Sequence, residues 1–170
     1  MADELLDLVD RDDNVIGTVL RSVAQNNPSK IYRIVSITVF NDLGETLIQK
    51  RAGNKSHPGK WENAASGHVL AGEDPNKSAT RELSEELGIR TNPIYFDKWL
   101  IEKSTKTKFM WLYYVIIPSS TELVIDKNEV EEIRWIKPKD LLQFSKMNKW
   151  DIDGYSHKEI MEIAEKLKIK

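Results

Sequence analysis

The absence of cysteine from a chain of 170 residues excludes a disulfide framework, a thiolate metal site and a thiol nucleophile. A formal net charge of −2 gives no general attraction to nucleic acid or to an anionic membrane, so we expect neither as a partner. The length is typical of one domain with its own core, and no apolar run approaches the roughly 18 residues of a membrane-spanning helix. The N-terminal segment is too acidic and too briefly apolar for a signal or transit peptide, so we expect a cytoplasmic protein.

Residues 1–30 indicate an N-terminal hairpin extension. Apolar residues between positions 5 and 20 flank a polar turn cluster, and a polar connection follows them. Residues 33–40 are rich in Ile, Val and Phe with few interruptions, which is typical of a strand buried on both faces. The Asn-Asp-Leu-Gly turn after it predicts that residues 46–49 return as its partner strand.

The loop after this strand pair is rich in cations. Lys50 and Arg51 come first, and two further lysines precede Trp61, which we expect to be buried. Lysine and arginine side chains bind anionic oxygens, so Lys50 and Arg51 are candidates for anion binding. Ordinary surface charges are the alternative.

The helix predicted after this loop has a signal at each end. Asp74 is placed to cap it, and Pro75 suits its first position, where a missing N–H costs nothing. Gly88 is placed to end it in a left-handed conformation. An apolar stripe that should face a core is formed by Ala79, Leu83 and Leu87.

Three glutamates share one edge of this helix. Glu82, Glu85 and Glu86 are related by i, i+3 and i+4, so their side chains lie together beside the apolar stripe. Because like charges at these spacings repel, a compensating positive group is expected. Clustered carboxylates without cysteine favour a hard cation, Mg²⁺ or Mn²⁺, which keeps waters and takes further ligands from substrate phosphates. A solvated acidic face is the alternative.

The stretch that contains this helix resembles the signature of the Nudix hydrolases, G-x5-E-x7-R-E-U-x-E-E-x-G-U, where U is a bulky aliphatic residue. Every specified position is filled, by Gly67, Glu73, Arg81, Glu82, Leu83, Glu85, Glu86, Gly88 and Ile89. Most of these positions demand a single residue type, so the resemblance is highly specific.

The resemblance implies a fold and a chemistry. The fold is an α/β/α sandwich with a mixed β-sheet, here one Nudix domain over residues 1–170. Nudix enzymes use divalent cations to hydrolyse a nucleoside diphosphate linked to another group, by attack of water on a phosphorus. The expected cofactor is therefore Mg²⁺ or Mn²⁺, and the expected partner is a small-molecule diphosphate. Some members use an N-terminal piece in dimer contacts, so the resemblance also allows a homodimer.

Roles are carried over by position. Glu82, Glu85 and Glu86 resemble the carboxylates that bind metal and activate water, and the division between metal ligand and general base stays open. The Gly67 carbonyl resembles a further metal ligand.

Other positions resemble supporting groups. Arg81 and Glu73 resemble the partners that hold the catalytic glutamates in place. Lys50 and Arg51 would then face the diphosphate of the substrate.

A wider likeness, from about residue 6 to about residue 135, is to the isopentenyl-diphosphate isomerase branch of the superfamily and the uncharacterised hydrolases related to it. This branch offers isomerisation of an allylic diphosphate as a rival function. Ser66, however, stands where the isomerase has its catalytic cysteine. A hydroxyl is a far weaker acid than a thiol and cannot replace it.

Other isomerase residues are also replaced. Ungapped matching puts Gln25 and Tyr32 at the positions of its upstream metal-binding histidines. Its second catalytic glutamate is lacking in residues 104–109, and only His68 remains of its site. A nucleotide-binding domain without catalysis is a third alternative, which the intact Nudix signature disfavours.

Beyond the signature, residues 95–102 and 109–117 predict two strands joined by a polar turn. The acidic segment that follows resembles the region from which some family members supply an extra glutamate. Glu129 and Glu132 are the candidates, and a solvated acidic loop is the alternative.

The C-terminal segment predicts one more helix. Ser156-x-x-Glu159 has the pattern of a capping box that opens a helix ending at Leu167. Its apolar side indicates packing, and we expect no other role for this segment.

Overall fold

The computed structural model describes residues 3–54, 57–150 and 155–169. The strands are β1 Leu5–Val9, β2 Val15–Leu20, β3 Tyr32–Asn41, β4 Thr46–Arg51, β5 Trp61–Asn63, β6 Ala65–His68, β7 Ile94–Glu102, β8 Thr107–Ile117 and β9 Val130–Ile136. The helices are α1 Arg21–Ala24, α2 Pro75–Leu87, α3 Leu141–Met147 and α4 Ser156–Leu167, with a short 3₁₀ turn at Pro138–Asp140. Within these described residues, none of the helices has the length and apolar character needed to cross a membrane.

β3 is the centre of a mixed seven-stranded sheet. It runs parallel to β8 along its whole length and antiparallel to β6. β7 extends the sheet beyond β8, and β9 and β5 pair with β4. Only Arg33 and Ile34 of β3 are less than fully buried, which confirms the prediction of a strand buried on both faces.

Helices cover both faces of this sheet. On one face, Ala79, Leu83 and Leu87 of α2 pack in the same cluster as the alternate β3 residues Val35 and Ile37. On the other face, apolar residues of α4 pack with residues of β3, β4 and β5, in a cluster formed by Phe40, Ile48, Trp61, Leu141, Ile160, Ile163 and Ala164. The α/β/α sandwich with a mixed sheet is therefore confirmed, and Trp61 is buried as expected.

The ends of α2 are set by the residues that the sequence indicated. The Asp74 side chain accepts a hydrogen bond from the Asn76 backbone N–H, and Pro75 is the first helical residue. Gly88 ends the helix with φ 70°, a left-handed conformation that favours glycine. A side chain on Gly88 would also lie 2.9 Å from Val124 Cβ. The position of the three glutamates along the helix is thus fixed from both ends.

The hairpin of β1 and β2 and the pair of β7 and β8 form as predicted. The prediction that residues 46–49 pair with β3 was wrong in extent, since the two strands meet only at Phe40 and Thr46. The edge of β3 that β4 would have used is occupied by β6 over Ile34 to Ile37. β4 instead forms its long ladder with β9.

The capping box predicted at Ser156 was wrong. Tyr155 is the N-cap residue of α4, and no side chain caps the helix. Glu159 turns inward and is fully buried. It accepts hydrogen bonds from Ser36 Oγ at 2.7 Å and Asn63 Nδ2 at 2.8 Å. The segment therefore does more than apolar packing, because its carboxyl group joins α4 to β3 and β5.

We expect the substitution Glu159→Ala to lower the free energy of unfolding by roughly 3 kcal/mol, because it leaves buried hydroxyl and amide donors without their acceptor. Chemical denaturation followed by circular dichroism measures the change. Glu162→Ala, on the same helix but partly exposed beside Lys158, is the matched control and should shift stability by less than about 0.5 kcal/mol. Equal effects of the two substitutions would contradict this account of Glu159.

Candidate active site

One face of β3 and the adjoining strand β6 line a cavity of about 850 Å³. The three glutamates of α2 lie at one end of the cavity wall, and α1 and the turn between β7 and β8 contribute to the other end. Alternate residues of β3 line it, namely Tyr32, Ile34 and Ser36, because side chains two apart on a strand share a face. The cavity is therefore elongated along β3.

Glu82, Glu85 and Glu86 all line this cavity, but they differ in burial. The Glu86 residue is 6% exposed and the Glu82 side chain 13%, whereas the Glu85 side chain is 59% exposed. The Glu82 carboxyl group lies against the backbone of Gly67, where a Cβ atom would be 2.0 Å from its Cδ. Only glycine leaves room for this carboxyl group, which explains the glycine at the start of the signature.

Arg81 ties these carboxylates together. Its Nη1 donates to Glu82 at 2.6 Å and to Glu85 at 3.3 Å. Its Nε and Nη2 donate to the two oxygens of Glu73, each at 3.0 Å. Nη2 also donates to the His68 carbonyl oxygen at 3.1 Å, which links the helix to β6. One guanidinium group thereby orients two of the three glutamates.

Glu73 is held in its ionised form. Burial alone would raise its pKa, but hydrogen bonds from Arg81 and Ser78 outweigh burial and lower the pKa below its usual value. Glu73 therefore supplies a fixed negative charge that keeps Arg81 in place.

The pKa values of the two buried glutamates move in the opposite direction. Burial raises the pKa of Glu82 to about 7, although Arg81 opposes the shift. Burial, followed by the charges of Glu82 and Glu62, raises the pKa of Glu86 well above its usual value. Glu86 accepts a hydrogen bond from Gln49 Nε2 at 2.8 Å. The positive charge near these two carboxyl groups does not offset the cost of ionising them, and a bound cation would lower that cost.

The oxygen ligands available here suit Mg²⁺ or Mn²⁺, ions that also bind water and substrate phosphates, better than a metal ion whose ligands all come from the protein. Across residues 3–54, 57–150 and 155–169, no three His, Cys, Asp or Glu side chains converge in the arrangement of a complete metal site. Two buried carboxyl groups, the Gly67 carbonyl and the more exposed Glu85 can supply oxygen ligands from one wall of the cavity. Mg²⁺ typically takes only one or two carboxylates and completes its shell with waters and phosphates. The residues therefore fit such an ion.

The structure separates the two loop cations. Arg51 lines the cavity, where its Nη1 contacts Glu62 Oε1 at 2.6 Å. Lys50 is not among the lining residues, and its Nζ contacts Glu131 at 2.6 Å. Neighbouring residues on a strand point to opposite faces, which accounts for the separation. Of Lys50 and Arg51, Arg51 is the one placed to contact a ligand in the cavity.

The two candidates for an extra glutamate are also separated. Glu129 lines the cavity together with Asp126, whereas Glu132 does not line it and pairs with Arg134 at 2.9 Å. Gln49 and Glu62 also line the cavity, opposite each other on β4 and β5, and sequence reasoning did not identify them. Their cross-strand pairing places them together in the cavity wall, and the sequence alone did not predict this pairing.

The residues matched to the isomerase site do come together. Gln25 Nε2 lies 3.1 Å from His68 Nε2, and the Tyr32 ring stacks on the His68 ring with centroids 5.7 Å apart. Burial, reinforced by Arg21 and nearby lysines, lowers the pKa of His68 to about 3, so the ring is neutral at physiological pH. An amide, a phenol and one imidazole replace a cluster of histidines here.

Comparisons with known proteins identify the family to which the chain belongs. The NUDIX domain profile matches residues 30–157. An uncharacterized Nudix hydrolase of Pseudomonas aeruginosa, PA4841, is 34% identical over 147 residues, which are 82% of this chain and 82% of that protein. An isopentenyl-diphosphate Delta-isomerase of Streptomyces avermitilis is 41% identical over 86 residues, so the match spans 50% of this chain but only 44% of that relative.

A solved structure has the same fold. The crystal structure of DR0079 from Deinococcus radiodurans superposes with a TM-score of 0.75 and 24% identity, over 94% of this chain and 98% of that one. Since the NUDIX domain profile covers most of the chain, the chain belongs to the Nudix family, close to the branch related to isopentenyl-diphosphate isomerases.

Proposed function

We propose that this protein hydrolyses a diphosphate linkage in a nucleoside diphosphate derivative or a similar compound, with Mg²⁺ or Mn²⁺ as cofactor. The observation that carries the proposal is the group of three glutamates on one wall of an open cavity, oriented by Arg81. These carboxylates supply only the protein ligands of the metal site, and a phosphate group of the substrate would supply further ligands to the cation.

Each group has a role in this proposal. When bound, the cation offsets the negative charge of the phosphates and holds them in line with the attacking water. Glu82 and Glu86 would hold it together with the Gly67 carbonyl, and one of the three helix glutamates accepts the proton of the water. Arg51, which also lines the cavity, would donate to the substrate phosphates.

Isomerisation is the second candidate, because several relatives are named isopentenyl-diphosphate isomerases. The cavity argues against it. Ser66 supplies a hydroxyl where that branch has a thiol, and the chain has no cysteine elsewhere that could replace it. His68 meets Gln25 and Tyr32 rather than further metal-binding imidazoles. Proton transfer to and from carbon, which isomerisation needs, therefore has no evident thiol acid or base here.

The test of hydrolysis is a set of neutral substitutions on α2. After a screen of diphosphate compounds with Mg²⁺ or Mn²⁺ has identified the best substrate, we expect Glu82→Gln, Glu85→Gln and Glu86→Gln each to lower kcat by at least about 100-fold. Phosphate released from the product by an added phosphatase gives the rate. The amide preserves the size of the side chain, so circular dichroism should remain unchanged.

Glu132→Gln is the matched control, because Glu132 lies outside the cavity wall, and it should retain its parental rate. Glu129→Gln should join the slow group only if Glu129 is the extra glutamate. Near-parental rates for all three helix variants, or conversion of isopentenyl diphosphate to its allylic isomer by the pure enzyme, would overturn the proposed reaction.

Metal binding should depend on pH. The raised pKa values of Glu82 and Glu86 mean that the metal-free fold binds protons more tightly than the unfolded chain, so its stability falls as pH rises through the folded pKa values. Metal displaces these protons and removes the repulsion that follows ionisation. Saturating Mn²⁺ should therefore raise Tm more at about pH 8 than at about pH 6. Glu82→Gln should reduce this difference, whereas an equal gain at both pH values would contradict the site.

Substitution of Arg51 should affect substrate binding more than substitution of Lys50. We expect Arg51→Ala to raise KM about tenfold through the loss of a charge-assisted hydrogen bond, with a smaller effect on kcat. Lys50→Ala, the adjacent control that faces away from the cavity, should change KM by less than about twofold. Steady-state kinetics on the best substrate measure both, and equal effects of the two substitutions would contradict the role given to Arg51.

A further inference from the structure

Glu86 is the helix glutamate that Arg81 does not hold. Among the residues that the structure describes, the hydrogen bonds of Arg81 go to Glu73, Glu82, Glu85 and the His68 carbonyl oxygen. Glu86 is 6% exposed and belongs to the same helix, so a different group has to fix the direction of its side chain. The contacts of its two carboxyl oxygens identify that group.

A side-chain amide on β4 makes the shorter of these contacts. Gln49 Nε2 donates to Glu86 Oε2 at 2.8 Å, whereas the Ser66 backbone N–H lies 3.4 Å from Glu86 Oε1. Gln49 Nε2 also lies 3.4 Å from Glu62 Oε1, across the pair of β4 and β5. Because carboxylate oxygens accept hydrogen bonds, the nitrogen of the amide rather than its oxygen has to face both glutamates. The orientation of the amide therefore follows from its neighbours.

The sheet holds Gln49 on both sides. Its backbone pairs with Glu62 of β5 and with Ile133 of β9, so it lies on an interior strand at this point. The residue is 3% exposed and lines the cavity. Glu62 is itself held by Arg51 Nη1 at 2.6 Å. A side chain on such a strand keeps its direction better than a side chain on a loop, so the amide is well placed to orient Glu86.

The stability of the fold does not account for this amide. Gln49 Oε1 is buried, and no hydrogen-bond donor reaches it within the described part of the chain. A buried acceptor without a donor destabilises a protein, and an apolar side chain of the same length would avoid that cost. The contact of Nε2 with Glu86 is therefore the feature that needs a functional explanation.

The donor that faces Glu86 is also uncharged. A lysine at this position could donate to both glutamates, but it would place a compact positive charge beside the carboxyl group that is proposed to bind the cation. Two positive groups next to one carboxylate repel each other, so this lysine would compete with the cation. The amide of Gln49 orients Glu86 without such competition.

We propose that Gln49 is a positioning residue of the metal site: its amide fixes the Glu86 carboxyl group in the direction needed to bind the cation and adds no competing charge. The inference rests on the proposed function, which assigns Glu86 to the cation. Gln49 itself takes no part in the chemical step. Substitution of a residue that holds a metal ligand by a hydrogen bond typically costs about 10- to 100-fold in metal affinity or activity.

Two substitutions in the full chain test this role. Gln49→Met keeps the length of the side chain and removes the donor, so we expect Kd for Mn²⁺ to rise by at least about tenfold. Gln49→Lys keeps a donor but adds a charge, and it should weaken Mn²⁺ binding at least as much. Electron paramagnetic resonance of free Mn²⁺ gives Kd without substrate or turnover. The Tm of metal-free Gln49→Met should stay within about 3 °C of the parent value, because removal of the buried oxygen offsets the lost contact.

Gln25→Met is the matched control. Gln25 lines the same cavity, but its amide contacts His68 rather than a helix glutamate. The same substitution at this position should leave Kd for Mn²⁺ within about twofold of the parent value.

A double variant separates an effect through Glu86 from a general one. Glu86→Gln already removes the carboxylate that Gln49 is proposed to orient. Gln49→Met/Glu86→Gln should therefore have a kcat on the best substrate within about twofold of Glu86→Gln alone. Additive losses in kcat would contradict a role that acts through Glu86.

The outcomes separate this inference from the proposed reaction. Parental Mn²⁺ affinity in Gln49→Met or Gln49→Lys, or an equal loss in Gln25→Met, would overturn the positioning role even if Glu86→Gln weakens Mn²⁺ binding as expected. A lower Tm of Gln49→Met with an unchanged Kd would also overturn it, because the contact would then be purely structural. If Glu86→Gln binds Mn²⁺ and turns over substrate as the parent does, the proposed function fails and the inference fails with it.

Discussion

The Arg81 guanidinium group is the contact on which the rest of the site depends. It accounts for the direction of the Glu82 and Glu85 side chains, and Glu73 holds it through two hydrogen bonds. Its bond to the His68 carbonyl oxygen joins the helix to the strand that carries Gly67. A planar group with several donors can make these contacts at once, whereas a lysine ammonium cannot reproduce their geometry. The catalytic edge of α2 and the backbone of β6 are thus positioned by one side chain.

The site is electrostatically unfavourable in the metal-free protein. Two carboxyl groups are buried next to each other, and their raised pKa values record the free-energy cost of ionising them there. Such a cost is common at functional sites, because a binding partner that removes it gains affinity in return. The caps of α2 and the packing of its apolar stripe keep the glutamates in place against their repulsion. The apolar stripe of α2 therefore stabilises the fold, while the glutamates on its neighbouring edge destabilise the metal-free protein.

Local signals in the sequence were enough to predict α2 and the three glutamates at the cavity. Caps, periodicity and signature all lie within one short stretch, so no distant contact was needed to interpret them. The role of Glu159 could not be predicted, because its donors come from Ser36 and Asn63 in strands far away in the chain. The spacing of Ser156 and Glu159 suggested a helix cap, but the Glu159 side chain instead turns inward to accept hydrogen bonds from Ser36 and Asn63.

The loop cations and the end of the cavity away from the three glutamates show two further limits. The separation of Lys50 from Arg51 follows from side-chain alternation once the residues are known to lie on a strand rather than on a loop. That end of the cavity, by contrast, combines α1 with the hairpin of β7 and β8, and the parallel pairing of β3 with β8 brings the hairpin to the cavity. Parallel pairs join segments distant in sequence, and neither composition nor periodicity specifies which segments meet.

The choice between hydrolysis and isomerisation depends on whether oxygen from water is transferred to phosphorus. The most direct measurement is turnover of the best diphosphate substrate in water labelled with heavy oxygen, followed by mass spectrometry of the products. The arrangement of Glu82, Glu85 and Glu86 around a cavity with no thiol predicts one labelled oxygen on one phosphorus-containing product in each turnover. A product that retains the intact diphosphate and carries no label would contradict the account.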